Sequence, residues 1–176
     1  NRESAERRCR AIELLTELFD GLTPPVAAGC AQSPAAVVRA RAAWSLGRAP
    51  AANFAPILVG LARDASPFVR ASALEALRQH AGALDAATFQ QALAFNLAYA
   101  DKRVHQAAAN LAATLPEAAF RALWAQQQKD GLPQARLTLA LASLWRSGTE
   151  TVNTNAIDAA LAVLAQSKIP DHQLQA

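Results

Sequence analysis

Methionine is absent from this chain, glycine occurs only seven times, and aromatic residues make up 6% of its 176 positions. Each shortage excludes something. Few glycines and no alternating runs of Val, Ile and Thr leave little from which to build hairpins and sheets. Only two cysteines are present, Cys9 and Cys30. They have neither metal nor redox spacing; two buried or half-buried thiols are expected, with a disulfide between them as the alternative. No apolar run approaches the roughly 18 residues of a membrane helix. The nearest candidate, residues 86–100, is interrupted by Gln90, Gln91 and Asn96. No secretory leader is recognisable. A soluble protein is expected, with the cytoplasm favoured over the periplasm. Because Asn1 opens directly onto a charged amphipathic stretch, a segment of a longer protein is expected.

Chemistry-bearing patterns are missing as well. His80, His105 and His172 lie far apart with no H-x-x-x-H or Cys–His spacing, so no metal site is expected. G-x-G-x-x-G, G-K-[ST] and G-x-S-x-G do not occur, which removes the common nucleotide and hydrolase signatures. C-x-x-C-H is absent, so no c-type haem attaches here. Acidic residues are scattered over helix surfaces, with no paired carboxylates set apart for acid–base work. Neither catalysis nor a cofactor is expected. The net charge of +3 is too small to imply a phosphate-bearing partner by itself.

Alanine supplies much of the 52% hydrophobic content, and it is the best helix former. An all-α fold follows. Within it one phrase recurs. Val38-Arg39 and Val69-Arg70 stand 31 residues apart, each heading an alanine-rich helix, and Arg7-Arg8 stands 31 before the first. Val104-His105 follows 35 after Val69, and Ala135-Arg136 a further 31 on. These copies predict second helices near 3–19, 34–47, 67–79, 102–115 and 133–147. Between them the spacing predicts first helices near 24–32, 53–63, 87–99, 117–129 and 153–167, with apolar residues at i, i+3 and i+4 as in Phe120, Leu123 and Trp124. One such pair cannot bury its own apolar face, so neighbours must stack. Ser33-Pro34 and Ser66-Pro67 are expected to open second helices, serine as cap and proline in the first turn.

The stretch P-I-L-V-G-L-A-R-D-A-S-P-F-V-R-A-S-A-L-E-A-L, from Pro56 to Leu77, resembles a HEAT repeat close to the bacterial HEAT-like type, which includes phycobilin-lyase relatives. The resemblance covers nearly all of residues 1–176 as a single array, strongest over 24–79 and degenerate after 85. It implies an α-solenoid, a right-handed superhelix of about five stacked antiparallel helix pairs. It also implies a structural ladder in which a turn aspartate pairs with the arginine six positions on: Asp64 with Arg70, and Asp130 with Arg136. Ser33 replaces the aspartate before Arg39, and His105 replaces the arginine of the fourth copy, so the ladder is expected to be incomplete.

Positions 3, 6 and 10 of each second helix, counted from the Val38 equivalent, fall opposite the apolar positions 0, 4, 5 and 8. By resemblance this side lines a concave surface. Its candidate partner-binding residues are Arg10, Arg41, Trp44, Arg48, Glu75, Asn110 and Trp145. Trp44 stands between two arginines on one strip, suited to a peptide, a carboxylate or a stacked base, or to packing against the next unit. The favoured expectation is a non-enzymatic scaffold, a monomer that binds a protein or peptide. Two alternatives follow from resemblance. One is a nucleic-acid-binding domain like the alkylpurine DNA glycosylases, although no matching aspartate is on the strip. The other is an accessory repeat domain within a larger haem-containing or lyase-type bacterial protein.

Overall fold

Runs rich in Ala, Leu, Gln and Arg, punctuated by Pro, Asp and Gly, form helices because nothing in them competes with helical backbone pairing. The computed structural model describes residues 2–49 and 54–146, with Ala162 and Ala165. Its helices are α1 (Arg2–Leu18), α2 (Pro24–Ala31), α3 (Ala36–Leu46), α4 (Ala55–Leu61), α5 (Pro67–Gln79), α6 (Ala86–Leu93), α7 (Lys102–Ala113), α8 (Glu117–Asp130) and α9 (Pro133–Arg146). There is no strand among the described residues. Of the expected first helix near 153–167 only Ala162 and Ala165 are among them, both helical; the rest of that expectation lies outside the described residues.

The odd-numbered helices touch in succession, α1 on α3, α3 on α5, α5 on α7 and α7 on α9. A second layer lies against them, with α2 on α3, α4 on α5, α6 on α7 and α8 on α9, and with α2, α4 and α6 also touching in order. The arrangement is an all-α, solenoid-like stack of helix pairs. Its core is one continuous seam. Val38, Ala42, Ala43 and Leu46 of α3 are buried, as are Val69, Ala73, Leu74 and Leu77 of α5 and Val104, Ala108, Ala109 and Ala112 of α7. These are positions 0, 4, 5 and 8 in each helix. Alanine at position 4 of all three lets successive helices approach closely. One close approach is at Gly47, where a Cβ would sit 3.0 Å from both Cα and Cβ of Ala76.

Polar links tie each unit to the next, and their wiring corrects the expected ladder. Asp64 does not pair its carboxylate with Arg70. Its two oxygens accept from Nε and Nη2 of Arg39, one unit earlier, at 2.7 and 2.8 Å. Arg70 instead donates Nε to the Asp64 carbonyl at 2.5 Å and Nη1 to Oδ1 of Asn96, one unit later, at 3.1 Å. Asn96 is fully buried and donates Nδ2 to the carbonyls of Ala62 (2.8 Å) and Ala92 (2.7 Å). Asp130 does not pair with Arg136 either; it is exposed, and Arg136 donates to the Gln127 carbonyl at 3.0 Å. The reason is geometric. An arginine in the first turn of a second helix lies over the carbonyls of the chain entering that helix, so its own turn supplies backbone acceptors. The side-chain acceptor comes from the next unit. Six residues along the chain and the next layer in space are different neighbours.

The link fails after α7. His105 stands where an arginine would reach forward, and its Nε2 is buried with no hydrogen-bond partner. Burial lowers its pKa, against the opposing charge of Asp101. The period lengthens to 35 residues on entering α7, and among the described residues α8 packs chiefly on α9. Arg146 restores a tie, donating to the Ala113 carbonyl at 2.9 Å and to Glu117 at 2.6 Å.

Two further expectations need revision. Ser66 occupies the N-cap of α5 but makes no side-chain cap bond; the Asp64 carboxylate accepts the Ser66 N–H at 2.8 Å instead. Pro67 does begin α5, whereas Pro34 precedes the Ala35 N-cap of α3, so the two Ser-Pro pairs differ in register. Ser33 aligns with Asp64, not with Ser66. Meanwhile α6 ends at Leu93 rather than near 99, because the following turn carries Asn96 inward to its three partners. At the opposite end, α1 and the residue after it leave Leu14, Leu15, Leu18 and Phe19 exposed, whereas the residues 31 positions on from the first three, Ser45 and Leu46 of α3 and Ala49 just past it, are buried.

Three outcomes follow. The Arg39 guanidinium holds the Asp64 carboxyl below the usual carboxylate range. Stabilisation from a depressed acid is present above the unfolded-state pKa and disappears as pH falls through the folded one. Urea unfolding at a series of pH values is therefore expected to show Asp64→Ala less stable by about 3 kcal/mol at neutral pH. The difference narrows as the solution is taken below the ordinary carboxylate range. Gly47→Ala is expected to lower thermal stability, since Ala76 must be displaced. Gly29→Ala, with nothing within 4 Å of the added methyl, is expected to raise it by roughly 0.5–1 kcal/mol.

Candidate functional site

Helical spacing places four residues of α3 and its C-terminus on one stripe: Val37, Arg41, Trp44 and Arg48, at i, i+4, i+7 and i+11. The stripe faces away from the seam that buries Val38, Ala42 and Leu46. Trp44 is half-buried, and both arginines lie over its ring, Arg41 with its guanidinium carbon 5.1 Å from the centroid and Arg48 at 4.2 Å. Arg48 also donates Nη1 to the Trp44 carbonyl at 3.3 Å. On α1, Glu13 accepts from Arg10 at 3.1 Å and pairs with Arg41 at 3.3 Å. Five residues from two helices thus form one cluster, Arg10–Glu13–Arg41–Trp44–Arg48.

The next stripe lies on α5 and carries Phe68, Ser72, Glu75 and Gln79. Arg78 holds Glu75 in a two-point contact, 2.6 and 2.9 Å, and keeps its carboxyl below the usual range. Ser72 donates to the Phe68 carbonyl at 2.9 Å. Of the arginines in these contacts, Arg10 and Arg41 share Glu13 and Arg78 is neutralised by Glu75. Arg48 has no carboxylate partner among the described residues.

Beyond α5 the strip changes. Ala107 on α7 and Thr138 on α9, both at position 3, are buried rather than facing out. Thr138 spends its hydroxyl on the Leu97 and Gln134 carbonyls, at 2.8 and 2.9 Å. Small residues there allow α7 and α9 to close over the position. Asn110 is half-buried on α7 and Trp145 is 46% exposed on α9, so the structure places them two and three stacked helices beyond α3, outside the Trp44 cluster. Arg10, Arg41, Trp44 and Arg48 are brought together; Glu75 stands on the adjoining stripe.

Sequence reasoning missed Val37 and Phe68, which are 50% and 46% exposed at the same register position of neighbouring units. The signal was available. The residue just before each Val38 equivalent falls on the same stripe as positions 3, 6 and 10, and its apolar character in two successive copies has no core to serve.

Elsewhere, α4 and α6 bound an open groove of about 360 Å³ lined by Pro56, Val59, Gly60, Arg63, Thr88 and Gln91. The Arg63 guanidinium is already laid over Phe95 at 4.1 Å, leaving no converging charges there. Cys9 and Cys30 are free and half-buried, and burial raises both thiol pKa values. Among the described residues no helix is long and apolar enough to cross a membrane.

Comparison with known proteins gives one match. The family described as HEAT repeats matches residues 23–113, just over half of the chain, covering the Trp44 and Phe68 stripes. No curated protein and no solved structure matches.

Trp44→Leu removes two cation–π contacts of about 0.5–1 kcal/mol each. Its melting temperature is expected to fall by a few degrees. Trp145→Ala, on an exposed face, is expected to leave it nearly unchanged in the same thermal scan.

Proposed function

The chain belongs to the HEAT repeat family, and on that premise we propose that it is a non-catalytic scaffold that holds a protein or peptide on the inner stripes of α1, α3 and α5. The observation that carries this reading is the pairing of exposed Val37 and Phe68 with a tryptophan bracketed by arginines. Apolar side chains left in water at matching positions of successive units have no role in the seam, and aromatic residues with arginine are the residue types most enriched where binding energy concentrates. In this reading the pairs continue as a right-handed superhelix of five, the stripes lie on its concave side, and the array serves as an accessory domain of a larger protein.

The nucleic-acid alternative draws less support. Phosphate binding needs a row of unneutralised cations. Here Glu13 sits between Arg10 and Arg41, and Glu75 occupies Arg78.

A photo-reactive amino acid placed at Phe68 is expected to cross-link a protein partner in cell extract, and one at the exposed, second-layer Gln90 is not. Equal capture at both positions, or capture at Gln90 alone, contradicts the placement of the surface.

A further inference from the structure

The binding-module reading leaves open what chemistry the stripe selects, and the following rests on that reading. We propose that the α3 stripe, with Phe68 of α5, takes an extended peptide presenting one carboxylate about three to five residues from a bulky apolar side chain.

The carboxylate is assigned by how Arg48 is held. A guanidinium lying over an indole ring spends its face on the ring and leaves its N–H groups, which point outward in its own plane, available as donors. The ring also fixes the side chain beforehand, so less rotamer freedom is lost when a ligand binds. Arg41 has the same stacking, but Glu13 already takes one of its nitrogens. Arg48 donates once, weakly, to a backbone carbonyl and meets no carboxylate among the described residues. Its remaining donors match a two-point carboxylate contact.

The apolar requirement comes from Val37 and Phe68, half-exposed where α3 and α5 begin. Val37 and Arg48 are about 16 Å apart along the axis at ~1.5 Å per residue. That is the length of about five extended residues at ~3.3 Å each. Phe68 occupies the Val37 register on the neighbouring helix, and Trp44 stands a turn nearer than Arg48, which gives the shorter limit of about three residues.

A single carboxylate is favoured over a polyanion because the other arginines beside the stripe are already paired, Arg10 and Arg41 with Glu13 and Arg78 with Glu75. Glu13 and Glu17 of α1 and Glu75 of α5 flank the stripe on both sides. A phosphate chain following the stripe meets these carboxylates, whereas a peptide with one acidic group flanked by neutral or basic residues does not. An Asp or Glu side chain and a free C-terminus offer the same group.

The test displays random peptides to the intact chain and titrates the best binder in four synthetic forms: as selected, with acidic side chains replaced by their amides, with the C-terminus amidated, and with its bulky apolar residue replaced by serine. Loss of the carboxylate that Arg48 holds is expected to weaken binding about tenfold or more, and the second and third forms tell which source supplies it. The serine form is expected to weaken it similarly. Arg48→Gln, at an exposed site, is expected to lose the same factor on the selected peptide and almost nothing on the amide form, with Arg48→Lys between the two. Binding indifferent to the carboxylate, or to Arg48, overturns this inference and leaves the binding-module reading standing. A single-stranded oligonucleotide that displaces the peptide at lower concentration overturns it in favour of nucleic acid. Failure to select any peptide overturns both readings together.

Discussion

Everything in this molecule depends on the seam shared by α1, α3, α5, α7 and α9. Helices α3, α5 and α7 each present a valine, an alanine one turn on and a leucine or alanine a turn beyond that to their neighbours, and no helix has enough apolar area to be stable alone. Alanine at the contact gives little area per residue but allows close approach, so packing rather than bulk supplies cohesion. Gly47 against Ala76 is one such contact. The polar ties are fitted to this stack. Arg39 reaches Asp64, Arg70 reaches Asn96, and His80 meets the Leu46 carbonyl at 2.9 Å, each spanning one layer.

The candidate site is a by-product of the seam. A helix that buries positions 0, 4, 5 and 8 on its neighbours must turn the opposite stripe outward, and stacking brings the stripes of successive helices side by side. That is how Glu13 of α1 meets Arg41 of α3, 28 residues apart in sequence. Where small residues occupy position 3, in α7 and α9, the helices close over it and the surface loses its continuity. The change coincides with the lengthened period and the unpaired His105 nitrogen, so the first three stacked helices and the last two present different surfaces.

Periodicity made the stack legible. The recurrence of Val38, Val69 and Val104 located the helices because the seam requires the same residues at each layer. The resemblance implies a pairing of Asp64 with Arg70, six residues on, but spacing along the chain does not say which layer a side chain reaches, and the carboxylate meets Arg39, one layer back. Both arginines are near it, but only Arg39 contacts the carboxylate. The shortening of α6 was hidden for a related reason: Asn96 looks like a polar interruption of a helix, and its burial depends on Arg70 and Ala62 from elsewhere in the chain. At the site, Arg41, Trp44 and Arg48 were legible from one helix alone. Glu13 required the neighbour, and Val37 and Phe68 required asking why an apolar residue recurs off the core.

A stack held by nearest-neighbour contacts has a graded stability, highest where a helix is covered on both sides and lowest where one side is open. Native-state amide hydrogen exchange followed helix by helix measures this directly. Protection is expected to be greatest in α5, bounded by α3 and α7 and by ties in both directions, and to fall toward α1, whose Leu14, Leu15 and Leu18 are left uncovered. Uniform protection from α1 to α9, or a maximum in α1 or α8, would contradict a structure built layer on layer.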